Sequence, residues 1–172
     1  SPFTLHSGMM ERIEREIEHA QAGRGGRIIA RMNSLIEPRI IQALYRASRA
    51  GVRIDLVVRG ICSLRPGVPG VSENIHVRSV MGRFLEHSRV FYFHNAGSPE
   101  VFLSSADWMP RNFFRRVETA FPMDNPELQQ RVIEESLCYY VEDNTQTWVL
   151  QPDGSYRRIQ PQEGEPPRSA QA

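Results

Sequence analysis

Side chains that could act together on a phosphate group are concentrated between residues 83 and 118. Phosphate chemistry needs donors that converge on an anion, a group that moves a proton and a group that orients it. His87 and Arg89 are two residues apart. If Arg89 begins a β-strand, the imidazole and the guanidinium lie on the same face of the sheet, an arrangement that suits a phosphoryl group.

Hydroxyl and carboxylate groups follow at a spacing that predicts neighbouring strands. Ser105 and Asp107 come at the end of one predicted strand, and Glu118 lies in the next. Arg59 ends an earlier apolar strand and precedes a loop rich in Gly and Pro, and α/β sheets often bind ligands at such loops. An isolated His-x-Arg pair is usually a structural histidine beside a solvated charge. The hypothesis of a phosphate site therefore depends on the hydroxyl and carboxylate groups that accompany the pair.

For the other candidate residues, the sequence context indicates structural roles. The remaining histidines share no metal-ligand spacing with another candidate ligand, so we predict no metal site. Cys62 and Cys138 stand in apolar contexts typical of buried thiols in a reducing compartment. The segments containing Trp108 and Phe113 favour a packed loop over a surface on which an adenine ring stacks.

The composition is that of one ordinary soluble domain. The chain has 172 residues, of which 40% are hydrophobic and 24% charged. Its 21 basic residues, all Arg, nearly balance 20 acidic residues, so the total charge does not suggest nonspecific binding to nucleic acid or membrane. Any phosphate bound here is therefore held by planar guanidinium groups, and a catalytic Lys is excluded. We expect a cytoplasmic protein, with peripheral association with the inner membrane as an alternative.

Hydrophobic periodicity predicts an α/β fold in which helices position the candidate residues on a sheet. A strand, a helix and a second, nearly continuous apolar strand indicate a parallel crossover unit covered on both faces. After residue 160 the chain is rich in Pro, Gln and Glu, which predicts a disordered tail over residues 161–172. The predicted helices span residues 7–22, 38–50 and 126–141, and the predicted strands span 27–32, 52–58, 75–80, 89–94, 101–105, 116–121, 147–150 and 156–159.

The motifs resemble those of a known superfamily and, more specifically, of one family within it. His87-x-Arg89 followed by Ser104-Ser105-x-Asp107 is similar to the His-x-Lys and Gly-Ser-x-Asn pattern of the phospholipase D superfamily. Glu118 stands in the place of the acidic residue that orients the histidine there. Four longer phrases, at residues 28–35, 58–67, 82–89 and 103–112, resemble the C-terminal domain of bacterial polyphosphate kinases.

This resemblance covers residues 1–160 and implies a phospholipase-D-like mixed sheet flanked by helices, in a single domain. It implies the second of two such halves of an enzyme that reversibly transfers the γ-phosphate of ATP to polyphosphate. In that family a histidine of the preceding half carries the phosphoryl group, and that half also binds most of the Mg²⁺. The implied partners are ATP or ADP, inorganic polyphosphate, other domains of the same polypeptide and further copies of the enzyme, but no nucleic acid.

The resemblance also implies roles for individual residues. Arg59 and His87 match positions that contact ATP, and His87 with Glu118 forms the implied catalytic pair. Arg89, Ser105 and Asp107 match phosphate-binding positions of the superfamily. In a departure from that pattern, Arg89 replaces the usual Lys, which keeps the positive charge but removes a possible acid.

Two other functions remain open at this point. One is a phospholipase-D-like phosphodiesterase or nuclease, which would have to dimerise because the chain contains only one motif of this type. The other is a polyphosphate-binding module without enzymatic activity, whose binding would not depend on nucleotide and would weaken steeply with salt.

Overall fold

A computed structural model describes residues 3–171, along which helices and strands are interspersed. The helices are α1 (Leu5–Gln21), α2 (Pro38–Arg49), α3 (Pro110–Phe114), α4 (Pro126–Ile133) and α5 (Tyr139–Glu142), and a π-helical segment (Glu134–Cys138) joins α4 to α5. The strands are β1 (Arg27–Met32), β2 (Arg53–Val58), β3 (Ile75–Val80), β4 (Arg89–Phe93), β5 (Glu100–Ser104), β6 (Ala120–Pro122), β7 (Thr147–Leu150) and β8 (Tyr156–Arg158).

The strands form one mixed sheet in the order β6-β5-β4-β1-β2-β3-β7-β8. Strands β1, β2 and β3 are parallel, and the remaining strands add in antiparallel pairs on either side. The central strands are nearly continuous runs of buried residues because helices cover both faces of the sheet. These observations confirm the predicted α/β fold with a mixed sheet flanked by helices.

Two apolar layers enclose the sheet. Alternate residues of β1 and β2, such as Ile28 and Leu56, join α1 and α2 in the larger core, to which Ile13 contributes a fully buried side chain. The opposite face is covered by the C-terminal helical segment, where Leu137 packs with Ile29 and its neighbours. Side chains that alternate along a strand therefore reach different layers.

Local signals account for where the helices begin. In α2 the Glu37 side chain accepts a hydrogen bond of 2.7 Å from the Ile40 N–H, and Pro38 occupies the first turn. In α4 the Asn125 side chain accepts one of 3.0 Å from the Leu128 N–H. None of the helices within residues 3–171 is both long and apolar enough to cross a membrane.

Two predictions between residues 108 and 122 need correction. The strand predicted over 116–121 is reduced to β6, because the Thr119 backbone turns back to Ser105: its carbonyl accepts from the Ser105 N–H and its N–H donates to the Ser105 hydroxyl oxygen. The segment after Met109, predicted as a loop, forms α3, with Pro110 in its first turn. Phe113 is fully buried from that short helix.

The C-terminal region also departs from the simple pattern. The predicted helix from Pro126 contains the π-helical segment, and Leu128 in its first turns is 47% exposed. No helix or strand follows Arg158 within the described residues. Arg168 and Ala170 nevertheless bond through their backbone to the side chains of Asn144 and Asp143, at 2.7 and 2.9 Å. Disorder beyond residue 160 stays a prediction.

Candidate phosphate-binding site

The candidate residues meet at one edge of the sheet because of strand direction. Strands β1 and β2 are parallel, so Asn33 and Arg59, which follow them, lie at the same edge. Strand β4 runs antiparallel to β1, so Arg89 at its start reaches that edge too. Strand β5 turns back again and leads into Ser105 and Asp107 there. The predicted grouping of these residues therefore follows from the topology.

Asp107 connects two of the other residues at this edge through hydrogen bonds. Its carboxylate is buried and accepts hydrogen bonds of 3.2 Å from both Nε and Nη2 of Arg89, one on each oxygen. It also accepts a bond of 2.7 Å from the backbone N–H of Asn33. An anion repels phosphate, so the geometry suits this carboxylate to fixing Arg89 and not to binding an anionic ligand directly.

Asn33 connects Asp107 to the second arginine of the site. The side-chain oxygen of Asn33 accepts a bond of 2.9 Å from Nε of Arg59. The side-chain nitrogen of Asn33 is buried and has no hydrogen-bond partner within the described residues. Asn33 was not among the predicted site residues, although it immediately follows the apolar strand β1.

His87 lies in the segment between β3 and β4 and is exposed. Its carbonyl oxygen accepts a hydrogen bond of 2.7 Å from Nη1 of Arg89, so the guanidinium contacts the histidine backbone as well as Asp107. The contact is made to the backbone of His87, and the placement of its imidazole beside the guanidinium stays a prediction.

Glu118 lies beside Ser105 instead of His87. The Ser105 hydroxyl donates to one Glu118 oxygen, and the Asn112 amide donates to the other at 2.6 Å. The Thr119 N–H donates to the Ser105 hydroxyl oxygen at 3.0 Å. Among the described residues no hydrogen bond joins Glu118 to the imidazole, and the carboxylate bonds to Ser105 and Asn112 instead.

A further polar cluster lies beneath the segment that carries His87. Arg31 projects from β1, where its guanidinium bonds to Glu86 and lies 3.4 Å from the ring centre of Tyr140. The Tyr140 hydroxyl donates to the other Glu86 oxygen. Burial, followed by the bond to Glu86, raises the pKa of Tyr140 to about 12, so this hydroxyl remains a donor at neutral pH. This cluster was not predicted; the sequence signal that could have indicated it is a charged residue, Arg31, inside an apolar strand.

Aromatic residues near the site have structural roles. Trp108 is fully buried and lies 5.0 Å from the Phe91 ring, and Phe113 is also fully buried. This confirms the packed interpretation of the segment and leaves neither ring available for stacking on a base. Burial raises the pKa of the Cys62 thiol, in keeping with an inert cysteine.

The residues described here do not fit a metal site. Within residues 3–171 no group of three or more His, Cys, Asp or Glu side chains is arranged to hold a metal ion. The carboxylates closest to the candidate site, Asp107, Glu86 and Glu118, each bond to cationic or neutral donors of the protein.

The fold places this domain in a known structural class. The structure matches NucT from Helicobacter pylori with a TM-score of 0.53 at 16% identity, covering 80% of this chain and 90% of that one. It matches a phospholipase D family member, Nuc from Salmonella typhimurium, with a TM-score of 0.53 at 17% identity, covering 79% and 88%. The domain is thus phospholipase-D-like in fold.

A closer relationship is shown by sequence. The model of the family described as polyphosphate kinase C-terminal domain 2 matches residues 1–171, and the chain belongs to this family. The polyphosphate kinase of Neisseria meningitidis serogroup B is 64% identical over 165 residues, covering 96% of this chain and 24% of the relative. That of Pseudomonas aeruginosa is 58% identical over 172 residues, covering 100% and 25%.

A solved structure from the same family gives the same result. The crystal structure of polyphosphate kinase from Porphyromonas gingivalis matches with a TM-score of 0.92 at 41% identity, covering 97% of this chain and 25% of that one. The chain therefore spans about a quarter of the length of the curated relatives it matches.

Proposed function

We propose that this domain works within a polyphosphate kinase that reversibly transfers the γ-phosphate of ATP to inorganic polyphosphate. The family membership and the names of the relatives support this activity. The phosphoryl group is carried by a histidine of a preceding domain, which makes the whole enzyme a phosphoprotein, and this domain contributes contacts to ATP and its phosphates. Mg²⁺ binds mainly outside this chain and neutralises phosphate charge.

The observation that carries the proposal is the pair of arginines held at one edge of the sheet by Asn33 and Asp107. Guanidinium groups match phosphate oxygens in geometry, and fixed donors need no reorganisation when charge develops. Arg59 binds phosphate oxygens on one side of this edge, and Arg89 binds them on the other. Phosphoryl transfer depends chiefly on such positioning and charge stabilisation.

The remaining site residues complete this arrangement. His87 contacts the γ-phosphate or moves a proton, since it is exposed and Arg89 holds its backbone carbonyl at the site edge. Ser105 donates to a phosphate oxygen once its single hydroxyl proton, which is donated to Glu118 in this structure, turns to the ligand. Glu118 acts through Ser105, whose hydroxyl it orients, and this replaces a direct role on the imidazole.

The setting of the enzyme is also part of the proposal. Other domains of the same polypeptide close the site from the opposite side, and the full enzyme assembles from several copies in the cytoplasm. Nucleic acid is not a partner.

The test uses a full-length polyphosphate kinase containing this domain. Arg59→Ala and His87→Ala are each expected to lower kcat/KM for ATP by about 10- to 100-fold, the usual effect of losing a hydrogen bond to a charged group. Arg49→Ala is the matched control, because Arg49 is exposed in the last turn of α2, which runs away from the site edge.

Three outcomes would redirect the proposal. Unchanged ATP turnover in both Arg59→Ala and His87→Ala would refute the assigned roles. Hydrolysis of bis(p-nitrophenyl) phosphate that disappears in His87→Ala would support a phosphodiesterase instead. Polyphosphate binding that is tight, independent of nucleotide and unaffected by His87→Ala would support a binding module without catalysis.

A further inference from the structure

The segment that carries His87 lacks regular secondary structure, yet side chains hold it at three points. Gln171 bonds to the backbone N–H and carbonyl of Phe84, at 3.1 and 3.2 Å. Arg89 bonds to the His87 carbonyl at 2.7 Å. Glu86, directly before the histidine, bonds to Arg31 and Tyr140. The contacts that hold the His87 segment therefore come from different parts of the fold.

The Glu86 anchor is built from the interior of the protein. The Arg31 side chain is only 8% exposed and reaches Glu86 from β1, in the middle of the sheet. Tyr140 lies in α5 on the covering helical layer, packed against Val57 and Val80. Both groups are themselves fixed by packing, so they can fix Glu86 in turn.

The bonds around Glu86 leave its carboxylate little freedom to move. Both Glu86 oxygens are occupied by donors, one cationic and one neutral, and the Arg31 guanidinium also bonds to the Ser136 carbonyl at 3.3 Å. The Tyr140 ring lies against the guanidinium face, which limits the directions in which Arg31 can turn. The cluster therefore sets both the position and the orientation of the Glu86 carboxylate.

We propose that Arg31, Glu86 and Tyr140 form a positioning cluster that holds the His87 segment in place for phosphoryl transfer. This inference rests on the proposed function of His87. The cluster does not touch the substrate; it acts by limiting the freedom of the neighbouring histidine. A small displacement of a reacting group lowers the rate even when the ligand still binds.

Tyr140→Phe is the gentlest test, since it removes one hydroxyl and keeps the ring beside Arg31. In the full-length enzyme we expect kcat to fall by about 3- to 10-fold, as for the loss of one hydrogen bond, while KM for ATP changes by less than about twofold. Tyr139→Phe is the matched control, because the preceding tyrosine is 47% exposed and lies outside the cluster. Glu86→Gln, which keeps one acceptor, is expected to lower kcat further.

A double-mutant cycle separates positioning from a general structural effect. If the cluster acts through His87, Tyr140→Phe lowers kcat in the wild-type background and has no further effect in His87→Ala. Losses that multiply in the double variant, or a Tyr140→Phe enzyme that is as fast as Tyr139→Phe, would overturn the inference. Should His87→Ala alone leave kcat unchanged, the proposed function of His87 fails, a result distinct from failure of the cluster.

Discussion

Replacing Asp107 by Asn tests whether this carboxylate holds the site edge together. Asn has the same shape but no charge, and it offers one acceptor oxygen in place of two. The Asp107 carboxylate now accepts two bonds from Arg89 and one from the Asn33 N–H. In the variant the amide nitrogen must face a donor, whichever way the side chain turns.

The expected loss of stability follows from how deeply the pair is buried. Asp107 and Arg89 side chains are 7% and 19% exposed. Removing one partner of a buried ion pair costs about 3 to 5 kcal/mol. Because water can reach part of the Arg89 guanidinium, the lower end applies, so we expect about 3 kcal/mol. For a domain of this size each kcal/mol lowers Tm by roughly 2 to 4 °C, which gives a fall of about 6 to 12 °C.

Thermal unfolding followed by tryptophan fluorescence measures this effect, since Trp108 is fully buried beside Asp107 in sequence. Asp124→Asn serves as the control, because Asp124 is exposed. In an Arg89→Met background Asp107→Asn should cost less, since no unpaired guanidinium is left behind. A loss below about 1 kcal/mol in the wild-type background, or an equal loss in both backgrounds, would refute the anchoring role.

Two further predictions concern the fold around the site. Leu137→Ala should lower the free energy of unfolding by about 2 to 5 kcal/mol, measured by urea denaturation, because this fully buried side chain seats the C-terminal helical segment on the sheet. A loss under about 1 kcal/mol would contradict that packing. Glu100→Gln should make the free energy of unfolding depend less steeply on pH in the acidic range. Burial raises the pKa of Glu100, but Arg15 and Arg12 outweigh it and lower that pKa below 4.5, so its stabilisation is present above pH 4.5 and lost as pH falls. If urea titrations between about pH 5 and 2 show the same pH dependence in the variant and the wild type, the stabilising role of Glu100 is refuted.

Much of the fold could be predicted because the central strands carry their own signal. Residues 27–32 and 75–80 were predicted as strands with the boundaries that the structure has. Parallel strands buried on both faces read as apolar runs, and strand direction then brings their ends to one edge. Strand direction explains why Arg59 and Arg89, which the resemblance assigned to one site, lie at one edge of the sheet.

Elements fixed by distant contacts could not be predicted in the same way. The segment before β6 turns because Ser105 and Asn112 engage Glu118 and Thr119. Nothing in the local pattern of residues 116–121 shows these partners. The short helix α3 likewise depends on burying Phe113 in the main core, which is a tertiary contact.

The same limit applies to the site. Glu86 meets Arg31 and Tyr140 across separations of 55 and 54 residues, and Asn33 meets Asp107 across 74. Periodicity reports which face a residue occupies but not which distant residue it meets. Arg31 alone gave a local sign of the cluster, as a charge within an apolar strand that only a buried partner can accommodate.

The arginines of this edge differ in what holds them, and this difference bears on how the site attracts phosphate. Arg89 is paired with the Asp107 carboxylate, so this pair offers directional donors but little net charge. Arg59 is held through a neutral amide, the Asn33 side chain, and so keeps its full positive charge. Long-range attraction of an anion depends on net charge, whereas close recognition depends on fixed donors. If this edge binds phosphate as proposed, we therefore expect Arg59 to supply most of the long-range attraction, and Arg89 to supply fixed donors while its charge is balanced by Asp107.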